Sequence, residues 1–269
     1  MSDINQHFKI VKHKDYLYVI QENISIVHSA YTNDPLNMYL ILGNHSALLI
    51  DTGCGISPLK PIVDKLIGSR KLLVFNSHAH WDHVLGNEEF GEVYIHENEE
   101  KIVSEPYNLS DTKELFAKYY ANRNFSIPPA KIIKKLRNGD VFDLGNITIK
   151  VIHAPGHSSG SICLLTNKNE LFTGDVAYYG DQFLPRKRHI PIVLESLSKL
   201  IELCEKNKSI ELYPSHRQFP CDINLLTELY KGVSNIKNLW HTRNPFELFY
   251  AWEIKDEEND RFRYYVSRL

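Results

Sequence analysis

Four side chains able to bind metal fall within six residues, in the stretch His78-Ala-His80-Trp-Asp82-His83. The stretch directly follows an apolar run, Lys71–Phe75, which predicts a buried strand. A helix would not place the four side chains on one face, and a strand would divide them between two faces. A loop at the end of the strand can fold them around a cation. Imidazole and carboxylate ligands suit zinc, iron, nickel or manganese, and zinc is the usual occupant of such sites.

Three more metal-capable residues follow predicted strands elsewhere in the chain: His157, Asp175 and His216. Alone, each histidine would more often be a hydrogen-bonded loop residue, and the aspartate a turn residue or cap. Binding and catalytic residues are nevertheless often carried by loops fixed to a rigid scaffold. Because a local cluster cannot complete two sites, we predict that these three residues converge on it.

Apolar and alternating runs predict the scaffold for these loops. The predicted strands are Tyr16–Ile20, Met38–Leu42, Ala47–Ile50, Lys71–Phe75, Val93–Ile95, Ile147–His153, Ser161–Leu165, Leu171–Thr173 and Ile210–Tyr213. Amphipathic helices are predicted over 57–68, 192–206 and about 222–236. This order favours an α/β fold in which two β-rich halves pack face to face with helices outside.

Two segments do not belong to this simple scheme. Residues of about 97–137 predict a helical insertion, or lid, over the site. Its aromatic residues either line an acyl pocket or belong to the core; they are Tyr107, Phe116, Tyr119, Tyr120 and Phe125. Residues of about 246–267 predict a terminal β-hairpin, which either seals the fold or forms a homodimer contact. We expect residues 1–269 to form a single domain.

Composition limits the partners and the compartment. The 269 residues carry a formal net charge of -2, which gives no global attraction to nucleic acid or acidic membranes. The start of the chain, Met1–Gln6, lacks the pattern of a signal peptide, and no apolar run reaches the length of a membrane span. The four cysteines are far apart, as free thiols in a reducing cytosol would be. We therefore expect a cytoplasmic protein with no nucleic-acid partner and no membrane anchor.

The seven candidate ligands together resemble the pattern of the metallo-β-lactamase superfamily, H-x-H-x-D-H followed by His, Asp and His. The likeness covers about residues 15–235 in the order of elements, and the motifs are its specific part. It implies the four-layer αβ/βα sandwich of the metallo-β-lactamase fold. It also implies two divalent cations, most often Zn²⁺, with iron or manganese as alternatives.

The resemblance further implies a role for each residue. The first cation would be held by His78, His80 and His157, and the second by Asp82, His83 and His216. Asp175 would bridge the two cations. Asp51, in an Asp-Thr-Gly element at the end of a strand, would fix the orientation of a ligand histidine through its second ring nitrogen.

Two cations sharing a water would generate a hydroxide nucleophile, so no serine or cysteine nucleophile is required. Asp82 and Asp175 are then catalytic through the metals. In some lactonases and thioesterases of the family, a tyrosine at the position of Tyr178 donates to the carbonyl oxygen or the leaving group. A packing role for this tyrosine is an equal alternative.

Departures from other branches narrow the substrate. Common zinc β-lactamases carry cysteine at the position of Asp175, and flavo-diiron proteins carry glutamate at that of Trp81. The chain is most similar to the glyoxalase II-like and acyl-CoA thioesterase-like members, which implies a hydrolase of thioesters or lactones with small acyl groups. A phosphodiesterase is the alternative, and a metal-binding module without activity is the non-enzyme alternative. The basic run at Arg186, Lys187 and Arg188 either pairs with an anionic substrate tail or is a solvated turn.

Overall fold

The computed structural model describes residues 7–269. Its first sheet is built from β1 (Lys9–Lys14), β2 (Leu17–Glu22), β3 (Leu36–Leu42), β4 (Ser46–Ile50), β5 (Lys71–Phe75), β6 (Glu92–His96) and β9 (Ile132–Leu136). These strands lie side by side in that order. The first four pair antiparallel, and the pairing from β4 onward is parallel.

The second sheet is built from β10 (Val141–Asp143), β11 (Thr148–His153), β12 (Ile162–Thr166), β13 (Glu170–Gly174) and β15 (Glu211–Pro214), again in that order. The last pair, β13 and β15, is parallel, and the others are antiparallel. The loops that follow these two parallel strands therefore lie at the same edge of the sheet.

The helices are α1 (Lys60–Ile67), α2 (Trp81–Val84), α3 (Glu100–Ser104), α4 (Lys113–Tyr120), α5 (Ile190–Lys206) and α6 (Asn224–Leu239). α1, α5 and α6 match the three predicted helices. In the described part of the chain, none of them has both the length and the apolar character that crossing a lipid bilayer requires.

Alternation along β3 shows how the layers form. Met38 and Leu40 pack in the cluster that holds α1, whereas Tyr39 and Ile41 pack between the two sheets. A strand covered on both faces has no polar face, which explains why this stretch reads as a continuous apolar run.

The second sheet is covered in the same way. Ile149 and Val151 of β11 face the first sheet, and Cys163 and Leu171 on the opposite face pack against α5 and α6. The layers therefore run helix, sheet, sheet, helix. This arrangement confirms the predicted four-layer αβ/βα sandwich.

The segment 97–137 differs from the helical insertion predicted for it. α3 and α4 are short. β7 (Tyr107–Asn108) and β8 (Ser126–Ile127) pair antiparallel as a two-stranded ribbon. The end of the segment is β9, which pairs with β6 and completes the first sheet. The correction has a physical reason: adjacent β-branched residues, Ile132 and Ile133, favour a strand over a helix.

A third sheet contains β14 (Gly180–Leu184), β16 (Asn244–Phe246), β17 (Ala251–Lys255) and β18 (Phe262–Ser267). β17 and β18 pair antiparallel at the place where the sequence predicted a hairpin. β14, from the middle of the chain, adds to this pair parallel to β18. The C-terminal strands are thereby joined to the segment that directly follows Asp175.

Candidate metal centre

The seven predicted ligands come from four connections at one end of the paired sheets. The loop after β5 carries His78 and His80, and the short helix α2 that follows it carries Asp82 and His83. His157 lies in the connection between β11 and β12, Asp175 directly follows β13, and His216 follows β15. Strand ends from both halves of the sandwich thus bring residues that are far apart in the sequence to one place.

Three imidazoles form the first ligand group, His78, His80 and His157. The Nε2 atom of His157 lies 3.1 Å from Nε2 of His78 and 2.8 Å from Nδ1 of His80. Lone pairs on nitrogens this close repel one another unless a proton or a cation lies between them. The arrangement suits a cation that prefers nitrogen ligands.

The second ligand group contains Asp82, His83 and His216. An oxygen of Asp82 lies 3.5 Å from Nε2 of His83 and 3.4 Å from Nε2 of His216. Asp175 lies between the groups: its oxygens are 3.4 Å from His83, 3.3 Å from His216 and 3.6 Å from His157. It is the one carboxylate of the seven in contact with both groups.

The donor atoms fit divalent cations. With metal–ligand bonds of about 2.0–2.1 Å, the ligands of a tetrahedral ion lie about 3.3–3.4 Å apart, close to the spacing in the second group. Within the described residues, Nε2 of His83 and Oδ1 of Asp175 are buried without a hydrogen-bond partner. Such atoms are costly unless something binds them, and a cation would bind both.

Hydrogen bonds on the far side of the rings select the nitrogen that faces the centre. Nδ1 of His83 donates to Asp51 (2.8 Å), that of His157 to the carbonyl of Phe183 (2.9 Å), and that of His216 to the carbonyl of Asn33 (3.0 Å). Carboxylates and carbonyls only accept, so each Nδ1 carries the proton. Each Nε2 of a neutral ring then presents a lone pair to the centre.

Burial and charge act differently on the two groups. Burial and the neighbouring His80 lower the pKa of His157 to about 3. Burial opposes protonation of His216 as well, but the carboxylates of Asp175 and Asp82 outweigh it and raise its pKa to about 9. The first group thus favours neutral imidazoles, whereas the second group is rich in negative charge and attracts cations.

Asp51 ties the loop after β5 to the strand beside it. Besides His83, its carboxylate accepts from the backbone N–H of Ser77 (2.7 Å) and from the hydroxyl of Ser77 (2.8 Å). Asp51 itself has a left-handed backbone, with φ of 66°, which is uncommon for a residue other than glycine. The Asp-Thr-Gly signal in the sequence located this residue.

Sequence reasoning missed Glu99. This buried carboxylate accepts from the backbone N–H of Ala79 (2.7 Å) and from that of Gly160 (2.8 Å). It thereby joins the loop of His80 to the loop of His157. A lone glutamate in a polar stretch gives no sequence signal for such a role, because both partners are backbone groups remote in the chain.

A cavity of about 320 Å³ opens beside the centre. His80, Asp82, His157, Asp175 and His216 line one side. Most of the remaining wall is apolar or aromatic, and includes Trp81, Leu109, Leu115, Phe116, Phe183 and Phe249. Of the five aromatic residues singled out in the insertion, Tyr107 and Phe116 line this cavity, whereas Tyr119, Tyr120 and Phe125 pack in the cluster behind it.

The remaining predicted site residues lie in different surroundings. Tyr178 lines the cavity, with its ring 5.0 Å from that of His216, but its hydroxyl donates to the carbonyl of Asp181. Arg186 and Arg188 are exposed and do not line the cavity. Arg186 donates to the carbonyl of Leu269, and Arg188 donates to His189.

Comparison with known proteins identifies the family. The family model described as Metallo-beta-lactamase superfamily matches residues 31–216, a span that includes all seven candidate ligands. The chain belongs to the metallo-β-lactamase superfamily, as its motifs predicted, and it is a hydrolase of that superfamily.

Individual relatives share about a third of their aligned residues with the chain or fewer. The chain is 31% identical over 199 residues to "Acyl-coenzyme A thioesterase MBLAC2" of Gallus gallus, a match covering 67% of this chain and 72% of the relative. It is 30% identical over 156 residues to "Hydroxyacylglutathione hydrolase" of Dictyostelium discoideum, a match covering 51% of this chain and 49% of that relative. Among solved structures, a metallo-beta-lactamase family protein from Thermus thermophilus aligns with a TM-score of 0.67 at 19% identity, covering 89% of this chain and 88% of that one. This structural likeness supports the fold alone.

Proposed function

We propose that this chain is a dinuclear-metal hydrolase that cleaves thioesters of small acyl groups. The observation that carries the proposal is the convergence of seven metal-capable side chains at one end of a largely apolar cavity. The named activity of the MBLAC2 relatives and of an "Atrochrysone carboxyl ACP thioesterase" of Emericella nidulans supports the choice of thioesters.

In this proposal the ligands divide as the two groups do. One cation would be held by His78, His80 and His157, and the other by Asp82, His83 and His216. Asp175 could serve both, since it contacts both groups. Asp51 and the backbone carbonyls of Phe183 and Asn33 keep the ligand imidazoles in the required tautomer.

When bound, two divalent cations would polarise the thioester carbonyl and lower the pKa of a bound water to about 7. The chain supplies the position and the surroundings. Its apolar wall holds the acyl group and excludes water, which strengthens the electrostatic interactions at the centre. In the net reaction, water oxygen bonds to the acyl carbon and the carbon–sulfur bond breaks, giving a carboxylic acid and a thiol.

The apolar wall is a poorer fit for a phosphodiester. Recognition of phosphate relies on arginine, lysine or backbone donors, and no arginine or lysine lines the described cavity.

The hydroxyl of Tyr178 is engaged by Asp181, so we assign this tyrosine to positioning the ring of His216. A lactone offers the same carbonyl chemistry and serves as a second substrate class in the test.

The test combines metal analysis with a substrate panel. We expect about two divalent ions per chain. We also expect hydrolysis of acetyl-, butyryl- and octanoyl-CoA that a chelator abolishes and that Zn²⁺, Fe²⁺ or Mn²⁺ restores. γ-Butyrolactone and bis-p-nitrophenyl phosphate complete the panel. Thioester hydrolysis unaffected by complete removal of metal, or a clear preference for the phosphodiester, would contradict the proposal.

A further inference from the structure

Three tyrosines that line the cavity have hydroxyls without a hydrogen-bond partner among residues 7–269: Tyr31, Tyr107 and Tyr250, of which Tyr250 is exposed. Tyr31 and Tyr107 line the cavity beside Asp82. Other tyrosines of this region are engaged: the hydroxyl of Tyr178 donates to the carbonyl of Asp181, and that of Tyr120 donates to the carbonyl of Cys54. The hydroxyls of Tyr31 and Tyr107 both remain accessible to water in the open cavity. A ligand that fills the cavity removes that water, and the loss is costly unless the ligand supplies a hydrogen bond in its place.

Packing fixes both rings. The ring of Tyr31 lies 4.8 Å from that of Trp81 and stacks on Phe249 at 5.4 Å. Tyr107 lies in β7, and its side chain packs against the apolar clusters that contain Leu109 and Val103. These contacts hold both rings in the cavity wall, where their hydroxyls are available to a ligand.

Both hydroxyls stay protonated near neutral pH. Burial, and after it the negative charge of Asp82, raises the pKa of Tyr31 and that of Tyr107 well above the usual value for a phenol. A protonated phenol donates one hydrogen bond and can accept another. The cavity therefore offers two donors next to the metal centre.

These donors discriminate between acyl groups. A plain hydrocarbon chain seated in the cavity would leave both hydroxyls dry, whereas an acyl group with its own oxygen could pair with them. Sites built to bond a polar group reject the analogue that lacks it far more strongly than apolar pockets reject an extra methylene.

We propose that Tyr31 and Tyr107 bind an oxygen of the acyl group other than that of the thioester carbonyl. The enzyme then prefers short acyl thioesters that carry a hydroxyl or oxo group close to the thioester. This inference rests on the proposed thioesterase function and adds to it the chemical class of the acyl group.

The experiment compares four N-acetylcysteamine thioesters: butyryl, both enantiomers of 3-hydroxybutyryl, and acetoacetyl. The small thiol removes any contribution of a larger carrier. The proteins are the metal-loaded wild type, Tyr31→Phe, Tyr107→Phe and the double variant. Tyr230→Phe is the matched control, because Tyr230 is exposed and lies outside the cavity lining. Thermal unfolding and metal content establish that each variant is folded and loaded.

We expect the wild type to favour at least one oxygenated thioester over butyryl by about tenfold or more in kcat/KM. Each Phe variant should lower that ratio several-fold, the double variant should bring it near unity, and Tyr230→Phe should keep the wild-type ratio. Equal kcat/KM for all four thioesters in the wild type, or a preference that survives in the double variant, would overturn this inference alone. A wild type that hydrolyses none of them, nor any CoA thioester, would overturn the proposed function as well.

Discussion

The metal centre and the cavity wall beside it are built on different parts of the molecule. The seven candidate ligands lie in the connections that follow β5, β11, β13 and β15 of the two large sheets. Much of the wall comes from two segments. Residues 107–116 run from β7 into α4, and residues 248–250 lie between β16 and β17 of the third sheet. The family model ends at residue 216, so the second of these wall segments lies outside it.

The difference indicates a division of labour. Under the proposed function, the centre, fixed by strand ends inside the sandwich, would perform the reaction, and segments that can vary without disturbing the sandwich would select the substrate. Changes at the centre should therefore reduce all activities together, and changes in the wall should alter the ratio between substrates.

The largest effect is expected for Asp175→Ala. This variant removes the carboxylate that contacts both ligand groups. We expect metal content to fall below two ions per chain. We also expect kcat/KM to fall more than about 100-fold, since loss of an outer partner of a metal ligand already costs about 10- to 100-fold.

Metal analysis and assays on several thioesters measure this effect. The loss should be the same for every acyl group. Asp64→Ala, at an exposed position of α1, is the matched control. Full activity of Asp175→Ala would show that the centre is assigned to the wrong residues.

Glu99→Gln should have an intermediate effect. An amide cannot accept from both Ala79 and Gly160 in the present geometry, because one of its two ends is a donor. The loops of His80 and His157 should then loosen relative to one another, and metal affinity should fall about tenfold or more.

Competition with a chelator measures the affinity of Glu99→Gln. Glu97→Gln, which alters an exposed ion pair with Arg137, should leave the affinity unchanged. If Glu99→Gln binds metal as tightly as the wild type does, the joining of the two loops by Glu99 is not required by the centre.

The two regions also differ in how far the sequence predicted them. The ligand loops could be predicted because metal binding requires particular residue types, and because the runs before them read as buried strands. Glu99 could not, since its partners are backbone N–H groups remote in the chain. The strand β14 was missed because its pairing with β18 depends on residues about eighty positions away.

The residues of the cavity wall were the hardest to predict from the sequence. An aromatic residue in a polar segment serves equally well in a core or in a cavity, and the structure divides those of the insertion between both, with Phe116 lining the cavity and Phe125 behind it. Whether a residue lines the cavity or packs behind it depends on the path of the chain over residues 107–127. That path is set by tertiary contacts rather than by local periodicity.

Phe116→Ala should change selectivity more than rate. Removal of the ring enlarges the cavity, so longer acyl chains can bury additional methylenes at about 0.8 kcal/mol each. The octanoyl-to-acetyl ratio of kcat/KM should rise. The free energy of unfolding should fall by about 3 kcal/mol, because Phe116 is buried. Phe125→Ala, behind the wall, is the control for stability loss without enlargement of the cavity. An unchanged ratio in a folded Phe116→Ala protein would argue that the acyl group does not enter this cavity.

The smallest effect is expected for the combined Arg186→Ala and Arg188→Ala variant. Both side chains are exposed and outside the cavity lining, and exposed charge pairs contribute little in water. The kcat/KM for N-acetylcysteamine thioesters should change less than about twofold. An acyl-CoA is the sharper probe, because its phosphates extend beyond the cavity. A rise in KM for the CoA thioester alone would assign these arginines to the carrier and extend the selective region from the wall to the surface around it. A loss shared by both thioesters would instead mean that the arginines support the centre, and the separation between the centre and its surroundings would fail at this point.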